Sequence, residues 1–348
     1  MKFGPIDHII LFGGAPLLAA FARDLADEGK YAVSVFSSRR HLDEVLAPWG
    51  KPLRAILQDA RIPWFDAADI NTEPNIRGLL SPTAFGLGLG EAWSFSPDLI
   101  ERFGGRLLDF MGIRLPQYRG GAHYSWQILR RSRIGCCNLQ VINEQMIQGV
   151  FDSGEIVKSR EYLFPASVRI PQDYFDFAVG EEVAFLKEFL EEVEAGRDFP
   201  LTRLQENFSL YFPRLNTLKH GWIDWSWSGE EIERFVCAFD EPYAGASTFL
   251  GEARVFLKDA RLETNDGPFH PFQSGLIYKK ASGALFVCAR EGTLVIRKAS
   301  DEAGQDILSD LVIGNRFHTP ARFLEEARQY RADYDATGPA ASARKGIA

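Results

Sequence analysis

Two stretches of the chain carry side chains that could move protons. Asp109-Phe110-Met111 leads into Leu115-Pro116-Gln117-Tyr118-Arg119-Gly120-Gly121, and Phe151-Asp152-Ser153-Gly154-Glu155-Ile156 follows further on. Together with His123, just past the first loop, they offer two carboxylates and one imidazole. Two carboxylates brought into one cleft raise the proton affinity of one of them, and such a pair can act as base toward a nucleophile. A histidine that reaches a cleft can do the same work near neutral pH. Plainer roles exist for each: His123 capping or packing the next helix, and Asp109 as a strand-end carboxylate bonded to backbone or to Arg114. An ionised Asp109 would repel a developing oxyanion and could serve one only if burial kept it protonated. Met111 has no titratable group and cannot be a base at any pH.

The elements that must position these residues are legible around them. Ile9 to Phe12 reads as a buried strand ending in Gly13-Gly14-Ala15-Pro16, and Leu17 to Leu25 has helical apolar spacing that stops at Gly29. Tyr31 to Phe36 gives a second strand, His41 to Ala60 a helix interrupted near Pro48 and Gly50, and Ile62 to Phe65 a third strand. Ala84 to Phe95 predicts a fourth strand running into a loop. Ser96-Pro97-Asp98 predicts a capped helix, Arg106 to Phe110 a fifth strand, and Cys136 to Ile142 a sixth, with a helix after Gly121. Such alternation implies a mostly parallel sheet covered by helices. Gly13-Gly14 is no dinucleotide fingerprint, because Pro16 and Leu17 stand where later glycines belong. It fits a tight turn before a helix whose N-terminus could hold an anion.

Pro171 to Gly196 predicts an acidic, core-facing linker helix, and Ser228 caps a helix through Phe239. Short strands follow at Ala253 to Leu257, Gly275 to Tyr278, Leu285 to Ala289 and Thr293 to Ile296, a pattern of a small barrel or sandwich. A last helix starts at Thr319-Pro320-Ala321. The chain divides into an α/β unit over 1–205 with its linker helix, a β unit over 206–335, and a disordered tail over 336–348.

With 348 residues, 46% of them hydrophobic, the chain can bury a large core. Its net charge of −8 argues against a general nucleic-acid binder, although Arg130, Arg131 and Arg133 form a local basic stretch. Cys136, Cys137, Cys237 and Cys288 lack zinc-site spacing, and a reduced cytoplasmic compartment suits them. No metal is expected. Asp7 and His8 precede the first apolar run, against a signal peptide, and no stretch has the ~20 apolar residues of a membrane span. Trp93, Tyr118, Tyr124 and Trp126 gather around the loop in sequence; core packing is the ordinary use, with Tyr118 the better surface candidate.

The loop Leu115 to Gly121 paired with the Asp152 loop resembles the active-site signature of the folate-dependent formyltransferase family, which includes methionyl-tRNA formyltransferase and sugar N-formyltransferases. Tyr211-Phe212-Pro213-Arg214-Leu215 and Gly221-Trp222-Ile223-Asp224-Trp225 are similar to the passage between that family's two domains. Glu241-Pro242-Tyr243-Ala244-Gly245-Ala246-Ser247-Thr248 is similar to the segment opening its C-terminal, OB-like barrel. The likeness spans roughly residues 7 to 330 and implies a Rossmann-like catalytic domain followed by that barrel.

The resemblance further implies 10-formyltetrahydrofolate as formyl donor, bordered by Leu115, Pro116, Tyr118, Arg119, Gly120, Gly121 and Gly154. The acceptor is then a small-molecule amine such as a nucleotide-linked amino sugar, on a protein that could form a homodimer. In the family, an Asn and a His two positions apart stabilise the oxyanion and take the amine proton, and an Asp orients the His. Asp152 matches that Asp, whereas the Asn and His positions fall on Asp109 and Met111. Losing an oxyanion donor costs on the order of 10²–10³ in rate, and losing a general base ~10²–10⁴. Two readings follow: a formyltransferase with impaired or altered catalysis, or an inactive pseudoenzyme that keeps the fold for binding. The stretch from Gly135 to Asp152 is longer than the family needs, with Asn143 to Gln148 as the insertion.

Overall fold

The computed structural model describes residues 1–143 and 154–331, with two short strands at Tyr334–Asp335 and Gly338–Pro339. Asp152, most of the expected insertion and most of the expected tail lie outside the described residues.

The first half winds strand and helix alternately. Strand β1 (His8–Gly13) is buried from Ile9 onward, as a central strand covered on both faces must be. Helix α1 (Ala15–Glu28) has Pro16 in its first turn and stops at Gly29, whose φ of 64° places it in the left-handed region. Strand β2 (Ala32–Ser37) leads to α2 (Arg39–Asp43), a small ribbon of β3 (Val45–Leu46) and β4 (Lys51–Pro52), then α3 (Leu53–Asp59) and β5 (Trp64–Asp66). The helix expected over 41–60 is thus two helices parted by a ribbon, with Pro48 and Gly50 in its turn. Helix α4 (Pro74–Leu79) gave no clear sequence signal. Strand β6 (Ala84–Leu89) ends well before Phe95, and α5 (Pro97–Phe103) starts on the Ser96 cap. Then come β7 (Leu107–Met111), the two-residue β8 (Arg119–Gly120), α6 (His123–Leu129), β9 (Ile134–Val141), β10 (Ile156–Leu163) and the long α7 (Pro171–Glu194).

The main sheet runs β10-β9-β7-β6-β1-β2-β5. Its five strands from β7 to β5 are parallel, and β9 runs antiparallel to both its neighbours, β7 and β10. One face packs on α1, α3 and α7 through residues such as Leu11, Leu108, Phe110, Phe185 and Phe189. The other face, with Ile10, Phe12, Phe36 and Leu107, packs on α4 and α5. The strand order reverses direction at β1, so the crevice for ligands in such a sheet lies at the carboxyl ends beside β1 and β6.

After β11 (Tyr211–Phe212) and α8 (Thr217–His220), helix α9 (Gly229–Ala238) begins on a Ser228–Glu231 capping box and packs between α6 and the second sheet. That sheet is antiparallel and built from β12 (Ala246–Leu250), β13 (Ala253–Glu263), β14 (Ile277–Ala281), β15 (Ala284–Ala289), β16 (Gly292–Ser300) and β17 (Phe317–His318). Its order is β14-β15-β16-β13-β12-β17, and α10 (Ala321–Gln329) closes the described domain. The molecule is a mixed α/β protein, with a parallel-rich sheet first and an antiparallel sheet second. Among the described residues no helix is long and apolar enough to cross a membrane.

Candidate active site

The expected residues that the structure describes lie at the carboxyl end of β7 and in the loop that follows it. Alternation along that strand sends Leu108 and Phe110 into the core under α7, where Phe110 meets Phe185 at 6.3 Å. Asp109 and Met111 therefore point to the opposite face. The antiparallel register sets Asp109 against Gln140 and Met111 against Asn138. Gln140 Nε2 donates to Asp109 Oδ2 at 2.8 Å, and both side chains are buried. The Asn138 amide donates to the carbonyl of Ile113, pinning the backbone that leaves β7. Arg114 forms an ion pair with Glu161 at 2.6 Å.

The loop after β7 is clamped to a distant segment. Arg119 and Gly120 pair in parallel with Tyr211 and Phe212, and Gly121 N donates to Phe212 O at 3.0 Å. Gly120 has a φ of 113°, and a Cβ there would overlap the Phe212 carbonyl. Tyr118 stacks on Phe212 at 5.5 Å, with the Arg130 guanidinium over both rings. Trp126 lies against Phe212, and Tyr124 is wedged among Phe164, Tyr174 and Phe175. Trp93 bonds to the Ala68 carbonyl. These four aromatic side chains all pack against their own protein.

His123, the first residue of α6, is tied back to the loop: its Nε2 donates to Gly120 O at 3.1 Å. Burial pushes its pKa down to about 4, the Gly120 carbonyl opposing and the nearby Arg214 adding to the shift, so the ring is neutral at ordinary pH. Gly154 stands where the chain re-enters beside β9, and a Cβ there would overlap the Val141 carbonyl and crowd Gln140. The structure thus brings Asp109, Met111, Gln140 and Gly154 together. It places Tyr118, Arg119, Gly120, Gly121 and His123 in the adjoining clamped loop, after Leu115 and Pro116.

Two acidic residues went unnoticed in the sequence. Beyond β6, the Glu91 side chain folds back over Gly88, its Oε2 2.7 Å from where a Gly88 Cβ would stand. Gly88 is the ladder neighbour of Asp109, so Glu91 belongs to the same edge. Glu182 of α7 is buried on the opposite face, with Oε1 2.7 Å from where a Gly112 Cβ would be. Its carboxyl is hydrogen-bonded with Tyr124, and burial pushes its pKa up to about 7 against the pull of that bond. Gly86-x-Gly88-x-Gly90 was the one available hint of space beside β6.

Residues 217–314 match the family described as Formyl transferase, C-terminal domain. Among solved structures, the fold resembles WlaRD, a sugar 3N-formyl transferase determined with dTDP and 5-N-formyl-THF. That match has 16% identity and a TM-score of 0.59, covering 86% of this chain and 99% of that one. It also resembles the N-formyltransferase from Helicobacter canadensis determined with folinic acid and dTDP-3-aminofucose, at 13% identity and a TM-score of 0.60 over 84% and 98% of the two chains. HypX from Aquifex aeolicus, determined with tetrahydrofolic acid, matches at 18% identity and a TM-score of 0.54, over 92% of this chain but 47% of its own. Residues 217–314 thus match a formyl transferase C-terminal domain, on a chain whose fold along most of its length is similar to that of these formyltransferases.

Proposed function

We propose that the protein transfers a formyl group from 10-formyltetrahydrofolate to an amine on a small molecule, such as a nucleotide-linked amino sugar, with chemistry altered at Asp109 and Met111. The observation that carries this reading is the intact positioning apparatus. The Leu115–Gly121 loop is clamped by Phe212 beside the carboxyl end of β7, where the family keeps its reacting groups. The complexes of WlaRD with dTDP and 5-N-formyl-THF, and of the Helicobacter canadensis N-formyltransferase with folinic acid and dTDP-3-aminofucose, support the same donor and acceptor class.

The residues present suit a reduced pterin, whose ring N–H groups need acceptors: carboxyl groups of Glu91 and Asp109 stand at this edge. Leu115, Pro116, Tyr118, Arg119, Gly120, Gly121 and Gly154 would border it. When bound, the folate supplies an activated formyl carbon. Asp109 and its neighbours then have to hold the carbonyl oxygen and take a proton from the amine. Asp152 is proposed to orient whichever group takes that proton.

The test is release of tetrahydrofolate from 10-formyltetrahydrofolate in the presence of dTDP-3-aminofucose and other amines. Turnover above background that falls in Asp152→Asn supports the reading, and its absence with every amine overturns it. A binding protein without turnover is the second reading, favoured by Met111, whose thioether can neither accept nor donate the required proton. Folate binding by calorimetry with no turnover would select it.

A further inference from the structure

We propose that the protein has a second small-molecule site, a tryptophan-walled cavity that takes a planar aromatic acid. The cavity lies where α6 of the first half meets α8, α9 and α10 of the second, and it measures about 370 Å³. That is within the ~300–1,000 Å³ of small-molecule sites, which favour such junctions. Asp109, Met111, Gln140 and Gly154 are not among its lining residues, so it is separate from the β7 edge.

The walls are braced ring on ring. Trp126 is fixed by its indole N–H, which donates to Pro213 O at 2.9 Å, and by Phe212 at 5.5 Å. Trp222 stacks on Phe249 at 5.1 Å and is backed by Phe323 of α10 at 4.7 Å. Trp227 meets Phe235 edge-on at 5.0 Å, and Phe235 leans on Phe239 at 4.8 Å. On α10, Phe323 packs behind Trp222 while Ala327, one turn on, lines the cavity and keeps it open by its small size. Flat, already ordered walls suit a flat ligand, because little side-chain freedom is lost when it enters.

The polar groups in the wall decide which flat ligand. A box of aromatic rings alone would suit a quaternary ammonium. Here, however, two guanidinium groups share the lining, those of Arg234 and Arg328. Glu230, one turn before Arg234, is paired with Arg131, and its Oε2 lies 3.9 Å from Arg234 Nη1. Arg234 Nη1 is buried and has no hydrogen-bond partner. Arg328 is exposed and reaches Asp224 Oδ2 at 3.4 Å. The lining carboxylate, Glu231, is committed to the start of α9, where its Oε2 accepts from Ser228 N at 2.9 Å. His220 is also engaged: its Nδ1 accepts from Asn216 N, and its Nε2 donates to Tyr330 O. A carboxylate on the ligand supplies the acceptor that Arg234 lacks, in a charge-assisted bond. Ring and acid together therefore define the ligand class.

Binding here is independent of formyl transfer, and its test needs no turnover. The full-length protein is titrated by calorimetry with 4-hydroxybenzoate, and with three relatives that each lack one feature. These are 4-hydroxybenzyl alcohol (no charge), cyclohexanecarboxylate (no aromatic ring) and benzyltrimethylammonium (opposite charge). The acid should bind at least ~10-fold more tightly than any of the three. Tryptophan fluorescence should change over the same concentrations, since three indoles line the cavity, and Tm should rise with the acid. Arg234→Gln should weaken the acid ~10-fold and leave the alcohol unchanged. Ala327→Trp, which fills the cavity from α10, should abolish binding.

The comparison of the four ligands on the parent protein does not depend on either variant folding. No heat and no fluorescence change with the parent at millimolar acid overturns the proposal. Equal affinity for the acid and the alcohol, or tighter binding of benzyltrimethylammonium, overturns the ligand class. Undiminished binding to folded Ala327→Trp places the acid elsewhere and overturns the site.

Discussion

Glu182 offers a test of the buried side of the motif loop. The carboxyl lies beneath Gly112, faced by Tyr124 from α6, Tyr162 from β10 and Cys137 from β9, with Arg160 and Glu181 further out. Burial raises all four groups, and the Glu182 charge adds to the rise in the other three. Its own pKa moves from 4.5 to about 7. A carboxyl whose folded value lies above its unfolded value favours the native state fully below pH 4.5 and progressively less as pH rises through 7. The difference of about 2.5 units, at ~1.4 kcal/mol per unit, amounts to about 3 kcal/mol. Glu182→Gln keeps the size and a partner for Tyr124 but cannot ionise. Urea unfolding of parent and variant should therefore give equal stabilities near pH 4.5, a gap that opens as pH rises, and about 3 kcal/mol in favour of the variant at pH 8. A gap that does not vary with pH, or one favouring the parent at pH 8, would refute the assignment of a buried, protonated acid.

Other substitutions probe the clamp, the cap and the reacting edge. Gly120→Ala forces a side chain against the Phe212 carbonyl at a positive φ, and should cost ~1–3 kcal/mol, read as a lowered Tm. Ser228→Ala removes the acceptor for Glu231 N at the start of α9 and should cost about 1 kcal/mol in urea unfolding. The double change Asp109→Asn with Met111→His reinstates an oxyanion donor and a base, and formyl transfer should rise by ~10² or more. No rise in that assay would place the defect in donor or acceptor binding.

Local signals carried much of the fold. The Ile9 to Phe12 run, the Ser96 and Ser228 caps and the stop at Gly29 each act within a few residues, so their elements formed as expected. What escaped depends on partners far along the chain. Strand β10 alternates polar and apolar residues at a sheet edge, a pattern without a strong strand signal until β9 stands beside it. β12 lay inside a segment read for its family likeness. At the site, Asp109, Met111 and the clamped loop were legible because they are contiguous. Gln140 was not, since only the β7–β9 register sets it opposite Asp109. Glu91 was hidden for the same reason: its place depends on a missing side chain at Gly88 and on the strand next to it. His123 was legible as a residue beside the loop, but its bond to the Gly120 carbonyl follows from the turn into α6 and not from spacing.

The parallel pairing of Arg119–Gly120 with Tyr211–Phe212 ties the loop after β7 to chain that lies beyond the long α7 helix. Exchanging second halves between relatives to alter acceptor preference is therefore not a modular operation at every junction. A splice made ahead of Tyr211 imports a foreign strand against Gly120, and the graft inherits a misfitted floor for that loop. Moving the seam past Arg214 leaves that floor native, so chimaeras joined there should retain the host's chemistry while taking on the donor's second sheet.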